Sequence, residues 1–170
     1  MEPIRELIAV DLEMTGLQVK TDRILEIGAV RLVDGQLRDT FQTFVNPHRR
    51  IDARITELTG IRSEMVEDAP EAEEALRKFL EFAGEAPFLG HNVIFDYSFL
   101  KQCAVNHKIS LERSALDTLK IARKVLKEPE KKSLEALCGY FQIDREHAHR
   151  AVDDAKACLL YTSDAADDLI

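Results

Sequence analysis

The chain has 170 residues, of which 45% are hydrophobic and 32% are charged. A chain of this length and composition predicts one globular domain with a buried core. The formal net charge is −8, which argues against broad electrostatic attraction to nucleic acid. It leaves open a nuclease that holds its substrate through bound cations, since such ions are the largest local charges in a site.

Targeting and redox signals place further limits on the class of protein. The sequence contains no apolar run near the roughly 20 residues that a membrane span needs, and Met1–Glu6 does not resemble a signal peptide. The three cysteines, Cys103, Cys138 and Cys158, have no C-x-x-C spacing. We therefore expect reduced thiols in a cytoplasmic protein without a membrane partner.

Three strands are predicted at the start of the chain. They cover Arg5–Glu13, Arg23–Val33 and Gln36–Asn46, and their alternation and β-branched residues are typical of strands. Asp34-Gly35 separates the second from the third and is a strong hairpin signal. The chain is therefore expected to begin with an antiparallel three-stranded meander.

Helices and short strands alternate after the meander. A helix is predicted over Asp52–Leu58, a connector over Ile61–Val66, and a longer helix that is capped by Asp68 and ended by Gly84. The later predicted elements are a strand over Pro87–Gly90, a helix over Val93–Asn106, a strand over Ser114–Asp117, a helix over Thr118–Leu126, a helix from Ser133 to Leu137 and a final helix starting near Arg150. This order predicts an α/β fold in which helices flank a mixed central sheet of about five strands.

The last 13 residues, Cys158 to Ile170, differ from the rest of the chain. They resemble a translated sequencing-library adapter, which divides the chain into a domain over residues 1–157 and a non-native tail over residues 158–170. A natural acidic C-terminus is the alternative, because the tail contains three aspartates and no lysine or arginine. If the tail is foreign, the final helix lacks its natural end.

Two carboxylates lie two residues apart in the first predicted strand. Asp11 and Glu13 share one face because successive side chains of a strand alternate, and their Cα atoms are expected about 6.6 Å apart. Two like charges about 4 Å apart repel by roughly 4 kcal/mol at an effective dielectric near 20. A cation between these carboxylates would relieve that cost.

Two further acids are placed where they could join this pair. Asp96 lies one turn into a predicted helix that follows a short strand, and Asp154 lies in the final predicted helix beside Asp153. Four carboxylates suit two hard divalent cations, Mg²⁺ or Mn²⁺, which can support phosphodiester hydrolysis. A histidine can accept the proton of the attacking water. The residue types alone do not choose between Asp153 and Asp154, or between His147 and His149.

Three motifs occur in order along the chain. They are D-x-E-x-T-G at Asp11–Gly16, H-N-x-x-F-D at His91–Asp96 and H-R-A-x-x-D-A at His149–Ala155. With them the chain resembles DEDDh-type 3′–5′ exonucleases of the DnaQ-like superfamily over about residues 5–157. This resemblance implies a ribonuclease H-like fold. Ile55–Ile61 is similar to the proofreading branch associated with bacterial DNA polymerase III, whereas Asp11–Leu17 is also similar to oligoribonucleases.

The resemblance implies a role for each matched residue. The implied ligands of two divalent cations are Asp11, Glu13, Asp96 and Asp154, with Asp11 bridging the two ions. The implied general base is His149. The residues implied to contact the terminal nucleotide are Thr15, Gly16, Leu17, His91, Asn92 and Phe95. Glu26 and Asp117 also match family stretches, and we assign them structural roles.

The expected function is metal-dependent 3′–5′ exonuclease activity that releases nucleoside 5′-monophosphates from single-stranded 3′ ends. The expected setting is DNA proofreading or repair, with a DNA polymerase catalytic subunit or a fused polymerase or helicase domain as partner. The alternative activity is that of an oligoribonuclease or another RNA-trimming exonuclease. A non-catalytic interaction module is the alternative of a different class.

Overall fold

A computed structural model of the chain describes residues 4–144 and 151–157. The strands are β1 (Glu6–Met14), β2 (Ile24–Val33), β3 (Gln36–Phe44), β4 (Phe88–Gly90) and β5 (Ala115–Asp117). They form one sheet in the order β3-β2-β1-β4-β5. The first three strands are antiparallel neighbours, whereas β4 runs parallel to both β1 and β5. The predicted mixed sheet with a leading meander is confirmed.

Helices connect the later strands and cover the sheet. They are α1 (Ala53–Thr59), α2 (Ser63–Val66), α3 (Ala72–Ala83), α4 (Val93–Asn106), α5 (Thr118–Val125) and α6 (Leu134–Tyr140). Residues 151–157, here called the C-terminal segment, are also helical. Among the described helices, none is long and apolar enough to cross a membrane. The short α2 lies inside the stretch that was predicted as a connector.

One set of contacts explains two wrong predictions of element ends. The helix α3 begins at Ala72 rather than at Asp68, and β3 ends before Asn46. The backbone amide of Asn46 donates to the carbonyl of Pro70 at 2.9 Å, and its side-chain amide donates to the carbonyl of Glu67 at 2.8 Å. These bonds take Asn46 out of the sheet and hold the residues before α3 as a connection.

The end of α6 was also predicted wrongly. The helix continues through Gly139 to Tyr140 instead of ending at Leu137. Leu137 is fully buried in a small core with Ala122 of α5, and Phe141 packs against the same core. Burial of this second apolar position, one turn later, favours continuing the helix across the glycine.

The strand β1 separates two apolar layers. Its residues Ile8, Val10 and Leu12 pack in the larger core together with residues of α3 and α4. On the opposite face, Ala9 packs with Ala155 of the C-terminal segment, and Val152 joins this second core. This arrangement confirms that β1 is a central strand buried from both sides. Cys103 is half-buried, and Cys138 is buried.

The C-terminal segment approaches β2 at Gly28. A Cβ atom built on Gly28 would lie 2.3 Å from the carbonyl carbon of Ala151 and 2.3 Å from the amide nitrogen of Val152. Gly28 pairs with Asp11 across the antiparallel strands, and directly paired residues share a face of the sheet. The segment therefore docks at backbone contact on the face that carries Asp11.

The replacement Gly28→Ala tests this docking. The added methyl group meets backbone atoms that cannot rotate away, so we expect a loss of about 1–3 kcal/mol, typical of an overpacked core. For a domain of this size that loss lowers Tm by at least about 2 °C, which differential scanning calorimetry can measure.

Gly139→Ala is the matched control. A Cβ on Gly139, which lies inside α6, meets no atom within 4 Å. Because alanine is the better helix former by about 0.5–1 kcal/mol, this variant should keep or raise Tm. Equal Tm values for the two variants would contradict the close docking.

Candidate active site

Three carboxylates meet where β1 ends. One oxygen of each of Asp11, Glu13 and Asp154 can be chosen so that all three atoms lie within 4.8 Å of one another. Asp11 and Glu13 are partly buried on β1, and Asp154 comes from the C-terminal segment with only 6% of its surface exposed. The structure thus brings together three of the four residues that the resemblance implies as metal ligands. Their roles as ligands stay predictions.

The electrostatics of this group favour a cation. At an effective dielectric near 20, two carboxylates 4.8 Å apart repel by roughly 3 kcal/mol. Carboxylate oxygens are the ligands that hard divalent cations prefer. The donor set and its spacing therefore fit a divalent metal ion, which would offset the repulsion.

Glu26 positions the helix that carries Asp154. Its side chain is 1% exposed and accepts a hydrogen bond from the backbone amide of Ala151 at 3.1 Å. Glu26 lies on β2 and pairs with Glu13 of β1, so its side chain is on the same face of the sheet as the carboxylate group. Together with the close approach at Gly28, this contact fixes the start of the segment relative to β1.

Asp96 lies outside the group of three but beside the same strand. It is on the first turn of α4, is 6% exposed and accepts a hydrogen bond from the backbone amide of Leu12. Burial raises the pKa of Asp96 to about 8; the Leu12 bond opposes the shift and the charge of Asp117 adds to it. Leu12 stands between Asp11 and Glu13 in β1, so Asp96 borders the carboxylate group.

The turn after β1 is held by Asp22, a residue that the sequence reasoning missed. Its carboxylate accepts from the hydroxyl of Thr15 at 3.1 Å and from the amide of Gln18 at 2.8 Å. A Cβ on Gly16 would lie 2.4 Å from the same carboxylate. A side chain at position 16 would therefore displace the Asp22 carboxylate that closes the turn.

A cleft of about 840 Å³ opens between this turn and α1. Glu13 lies at its edge, and Leu17 and Leu58 are two of its apolar lining residues. Both leucines are exposed, with 74% and 53% of their surfaces accessible. Leu58 belongs to a stretch that matches the family, yet sequence reasoning gave it no role, because nothing in one sequence shows that α1 faces β1.

His91 and Asn92 lie where β4 leads into α4. The Nε2 atom of His91 is 2.8 Å from the carbonyl of Lys132, and its Nδ1 is 3.0 Å from the hydroxyl of Thr118. Burial lowers the pKa of His91, and Nε2 donates to the carbonyl, which can only accept. Both ring nitrogens thus have protein partners, whereas Asn92 is exposed in the left-handed conformation with φ 59°.

One oxygen of Asp117 connects two helix starts. Its Oδ1 atom accepts from the amide of Asn92 at 2.9 Å and from the amide of Leu119 at 3.0 Å. Asp117 is 7% exposed and is the N-cap of α5. These contacts agree with the structural role that we assigned to it.

The remaining predicted site residues differ in what can be said of them. Phe95 is partly buried on α4 and makes an edge contact with Phe99 at a centroid distance of 5.4 Å. His149, the predicted base, lies outside the described residues, as does its competitor His147. The predicted tail over residues 158–170 also lies outside them.

Replacement of Asp96 by asparagine tests its buried environment. Because the pKa of Asp96 is raised to about 8, the folded protein keeps a proton there that the unfolded chain releases above about pH 4. The contribution of Asp96 to the stability of the metal-free protein should therefore fall as pH rises from about 4 to 8. The amide side chain of D96N cannot ionise, so the Tm difference between D96N and wild type should grow over this range in EDTA.

Asp68→Asn serves as the control for that experiment, since Asp68 is exposed. It should leave the pH dependence of Tm as in wild type. A D96N-minus-wild-type difference that stays constant between pH 5 and pH 8.5 would contradict the buried, protonated carboxyl group.

Comparison with known proteins extends over almost the whole chain. The exonuclease family model RNase_T matches residues 8–161. DNA polymerase III PolC-type from Caldanaerobacter subterraneus subsp. tengcongensis is 45% identical over 152 residues, which are 89% of this chain and 11% of that protein. The chain thus spans about a tenth of the length of the curated relatives it matches.

Solved structures show the same fold. Exonuclease X in complex with 5′ overhanging duplex DNA has a TM-score of 0.71 at 26% identity, over 96% of this chain and 91% of that one. The nuclease domain of 3′hExo, a DEDDh family member bound to rAMP, has a TM-score of 0.84 at 19% identity, over 97% and 93% of the two chains. The predicted resemblance to DEDDh exonucleases and the ribonuclease H-like fold are confirmed, and the chain belongs to the RNase T family of exonucleases.

Proposed function

We propose that this exonuclease domain removes nucleotides one at a time from single-stranded 3′ ends of DNA and releases nucleoside 5′-monophosphates. The observation that supports this proposal best is the convergence of Asp11, Glu13 and Asp154 within 4.8 Å. Their position beside the cleft between the β1 turn and α1 gives a terminal nucleotide a place to bind next to the carboxylates.

The proposed cofactor is a pair of divalent cations, Mg²⁺ or Mn²⁺. Asp11, Glu13 and Asp154 would hold one ion, and Asp11 together with Asp96 would hold the other. When bound, such ions lower the pKa of a coordinated water and neutralise charge on the scissile phosphate. The buried protonated Asp96 would have to release its proton before it could act as a ligand, so binding at Asp96 should strengthen as pH rises.

The proposed nucleotide site is the cleft lined by Leu17 and Leu58. Its exposed apolar side chains can pack against a base without reading its identity, which suits an enzyme that removes any nucleotide. Thr15 and Gly16 form the adjoining turn. We propose that they contact the substrate together with Asn92 and Phe95. The protein-bonded nitrogens of His91 support a role in shaping the pocket.

The proposed general base is His149. It precedes Asp154 by five residues in the chain and belongs to the same motif, His149–Ala155. A neutral imidazole can take the proton of the attacking water, and a protonated one cannot. We therefore place proton removal at His149.

The proposed setting is replication in the cytoplasm, in proofreading or repair. Supporting it are relatives named DNA polymerase III PolC-type, each far longer than this chain. The proposed partner is accordingly a polymerase, either a separate catalytic subunit or a domain of the same longer protein. We also propose that the exonuclease domain covers residues 1–157 and that residues 158–170 are a foreign tail.

Substitution of neighbouring aspartates tests the metal site. D154N and D11N should each reduce Mg²⁺-dependent hydrolysis of a single-stranded oligonucleotide by more than about 100-fold, which exceeds the loss seen when only an orienting partner is removed. The matched control is D153N, which lies beside Asp154 but outside the group of three, and it should stay active. Equal activity of D153N and D154N would refute the assignment.

Metal-dependent stability provides a readout that does not need activity. An ion at about 100 times its Kd stabilises the native state by about 2.7 kcal/mol, which corresponds to about 5–10 °C in Tm for a domain of this size. Wild type and D153N should show this rise with MgCl₂ over EDTA, and D11N should not. Wild-type protein without any rise would count against the site.

The pH profile tests the base. With saturating Mg²⁺, hydrolysis should decline below about pH 6.5, near the ordinary pKa of histidine, because His149 becomes protonated. H149A should lose activity yet keep the Mg²⁺-induced rise in Tm, whereas H147A should behave as wild type. Full activity of H149A would remove this residue from the mechanism.

The second candidate function is removal of nucleotides from short RNA, which the similarity of Asp11–Leu17 to oligoribonucleases favours. Digestion of DNA and RNA oligomers of the same sequence separates the two, because the 2′-hydroxyl is what a protein can use to distinguish them. A preference for RNA dimers to tetramers would support the second candidate and exclude proofreading.

A further inference from the structure

A basic segment stands out in this acidic chain. Residues 118–132 contain six lysine or arginine residues and two glutamates, whereas the chain as a whole has a net charge of −8. The segment covers α5 and the loop before α6. A polyanion would be repelled by most of the molecule, so a local reversal of sign marks where one could bind.

Among the residues that the structure describes, the cations of this segment have no carboxylate partner. Five of them are exposed, namely Lys120, Arg123, Lys124, Lys127 and Lys131. Within residues 4–144 and 151–157, none of the five makes an ion pair. By contrast, the exposed cations Arg77 and Lys78 on α3 both pair with glutamates one turn earlier. The basic segment therefore keeps its charge available for an external partner.

The cations lie on two flanks of α5. Arg123 and Lys131 line a cleft of about 740 Å³ together with His91 and Asn92, and we call it the α5–α6 cleft. Lys120 and Lys124 line a separate, smaller depression on the other flank. One carboxylate, Glu130, also lines the α5–α6 cleft. The two flanks of α5 therefore allow two nearby pairs of cations to be compared.

The α5–α6 cleft adjoins the carboxylate group. His91 follows Gly90, and a Cβ on Gly90 would lie 3.0 Å from the carbonyl of Val10, the residue before Asp11. The bond from His91 to the carbonyl of Lys132 ties the loop that carries Lys131 to this edge of the sheet. A nucleic-acid strand that leaves the carboxylates past Asn92 would therefore enter the cleft.

We propose that Arg123 and Lys131 bind backbone phosphates of the strand upstream of the scissile bond, in the α5–α6 cleft. This inference rests on the proposed function, because it assumes that a strand ends at the carboxylates. Phosphate contacts position a strand without reading its sequence, and a guanidinium beside an ammonium suits them. The cleft also holds the apolar side chains of Leu119 and Leu126, against which sugars and bases can pack.

The experiment compares two charge-reversal variants on two substrates. The variants are R123E/K131E in the cleft and K120E/K124E on the other flank, which change the net charge equally. One substrate is a single-stranded DNA 8-mer, and the other is the p-nitrophenyl ester of thymidine 5′-monophosphate, which is too short to reach the cleft.

For R123E/K131E, the ratio of kcat/KM for the 8-mer to kcat/KM for the ester should fall about tenfold at 50 mM salt, because KM for the 8-mer rises. K120E/K124E should keep the wild-type ratio.

A binding measurement makes the result independent of hydrolysis. The Kd of the labelled 8-mer is measured by fluorescence anisotropy in EDTA at several salt concentrations. The slope of log Kd against log salt concentration should be smaller for R123E/K131E than for wild type by about 1.4, the value for two lost phosphate contacts to a single strand. Equal effects of the two variants would overturn the cleft assignment in favour of general charge. Wild-type behaviour of R123E/K131E would overturn it in favour of another partner, such as an acidic protein surface.

The two proposals fail in different ways. If wild type cleaves neither substrate with Mg²⁺, the proposed function fails, while the anisotropy series still decides whether the cleft binds a strand. If wild type cleaves both and R123E/K131E leaves the ratio and the salt dependence unchanged, the exonuclease stands and the cleft assignment fails.

Discussion

The docking of the C-terminal segment on β1 and β2 is the contact on which the site depends. Asp154 joins Asp11 and Glu13 only because the segment reaches backbone contact at Gly28. The bond from Ala151 to Glu26 sets where along the strand this contact occurs. A shift of the segment by one helical residue would turn Asp154 by about 100° away from β1. The carboxylate group is therefore a property of the packing between a helix and a strand pair, and not of the strand alone.

The same face of the sheet carries several acidic side chains, and their mutual repulsion destabilises the folded protein. Asp11, Glu13, Glu26 and Asp154 lie together on it, with Asp96 at its border. Natural folds are locally consistent except where function requires otherwise, and here the inconsistency is the set of acids on a central strand. Hydrogen bonds from backbone amides to Glu26 and Asp96 offset part of this destabilisation. A bound cation would reduce the rest, which links stability of this face to its occupancy.

Much of the fold followed from local sequence signals. The meander could be predicted from alternation and from Asp34-Gly35, whose two positive φ angles, 49° and 78°, suit a tight hairpin. The range of α4 was also predicted correctly. The start of α3 was not, because it depends on hydrogen bonds from Asn46, more than 20 residues earlier. Periodicity cannot report such a contact.

The site residues likewise divide into those that local sequence signals predict and those that depend on contacts between distant segments. The pair Asp11 and Glu13 was visible in one strand, and the motifs added Asp96 and Asp154. Asp22, Leu58 and Arg123 were missed because the turn and the clefts to which they belong are formed by contacts between distant segments, which no spacing within one sequence displays. Glu26 was recognised as structural, but its partner, the amide of Ala151, is 125 residues away.

The double hydrogen bond at Asp117 has a mechanical consequence. One oxygen holds the first residue before α4, which carries Asp96, and the first turn of α5, which carries Arg123. The two helices therefore cannot separate without breaking a buried, charge-assisted contact. We therefore expect the distance between the carboxylates and the α5–α6 cleft to stay constant. The protein, and not the flexible strand, would then determine which phosphate lies at the carboxylates.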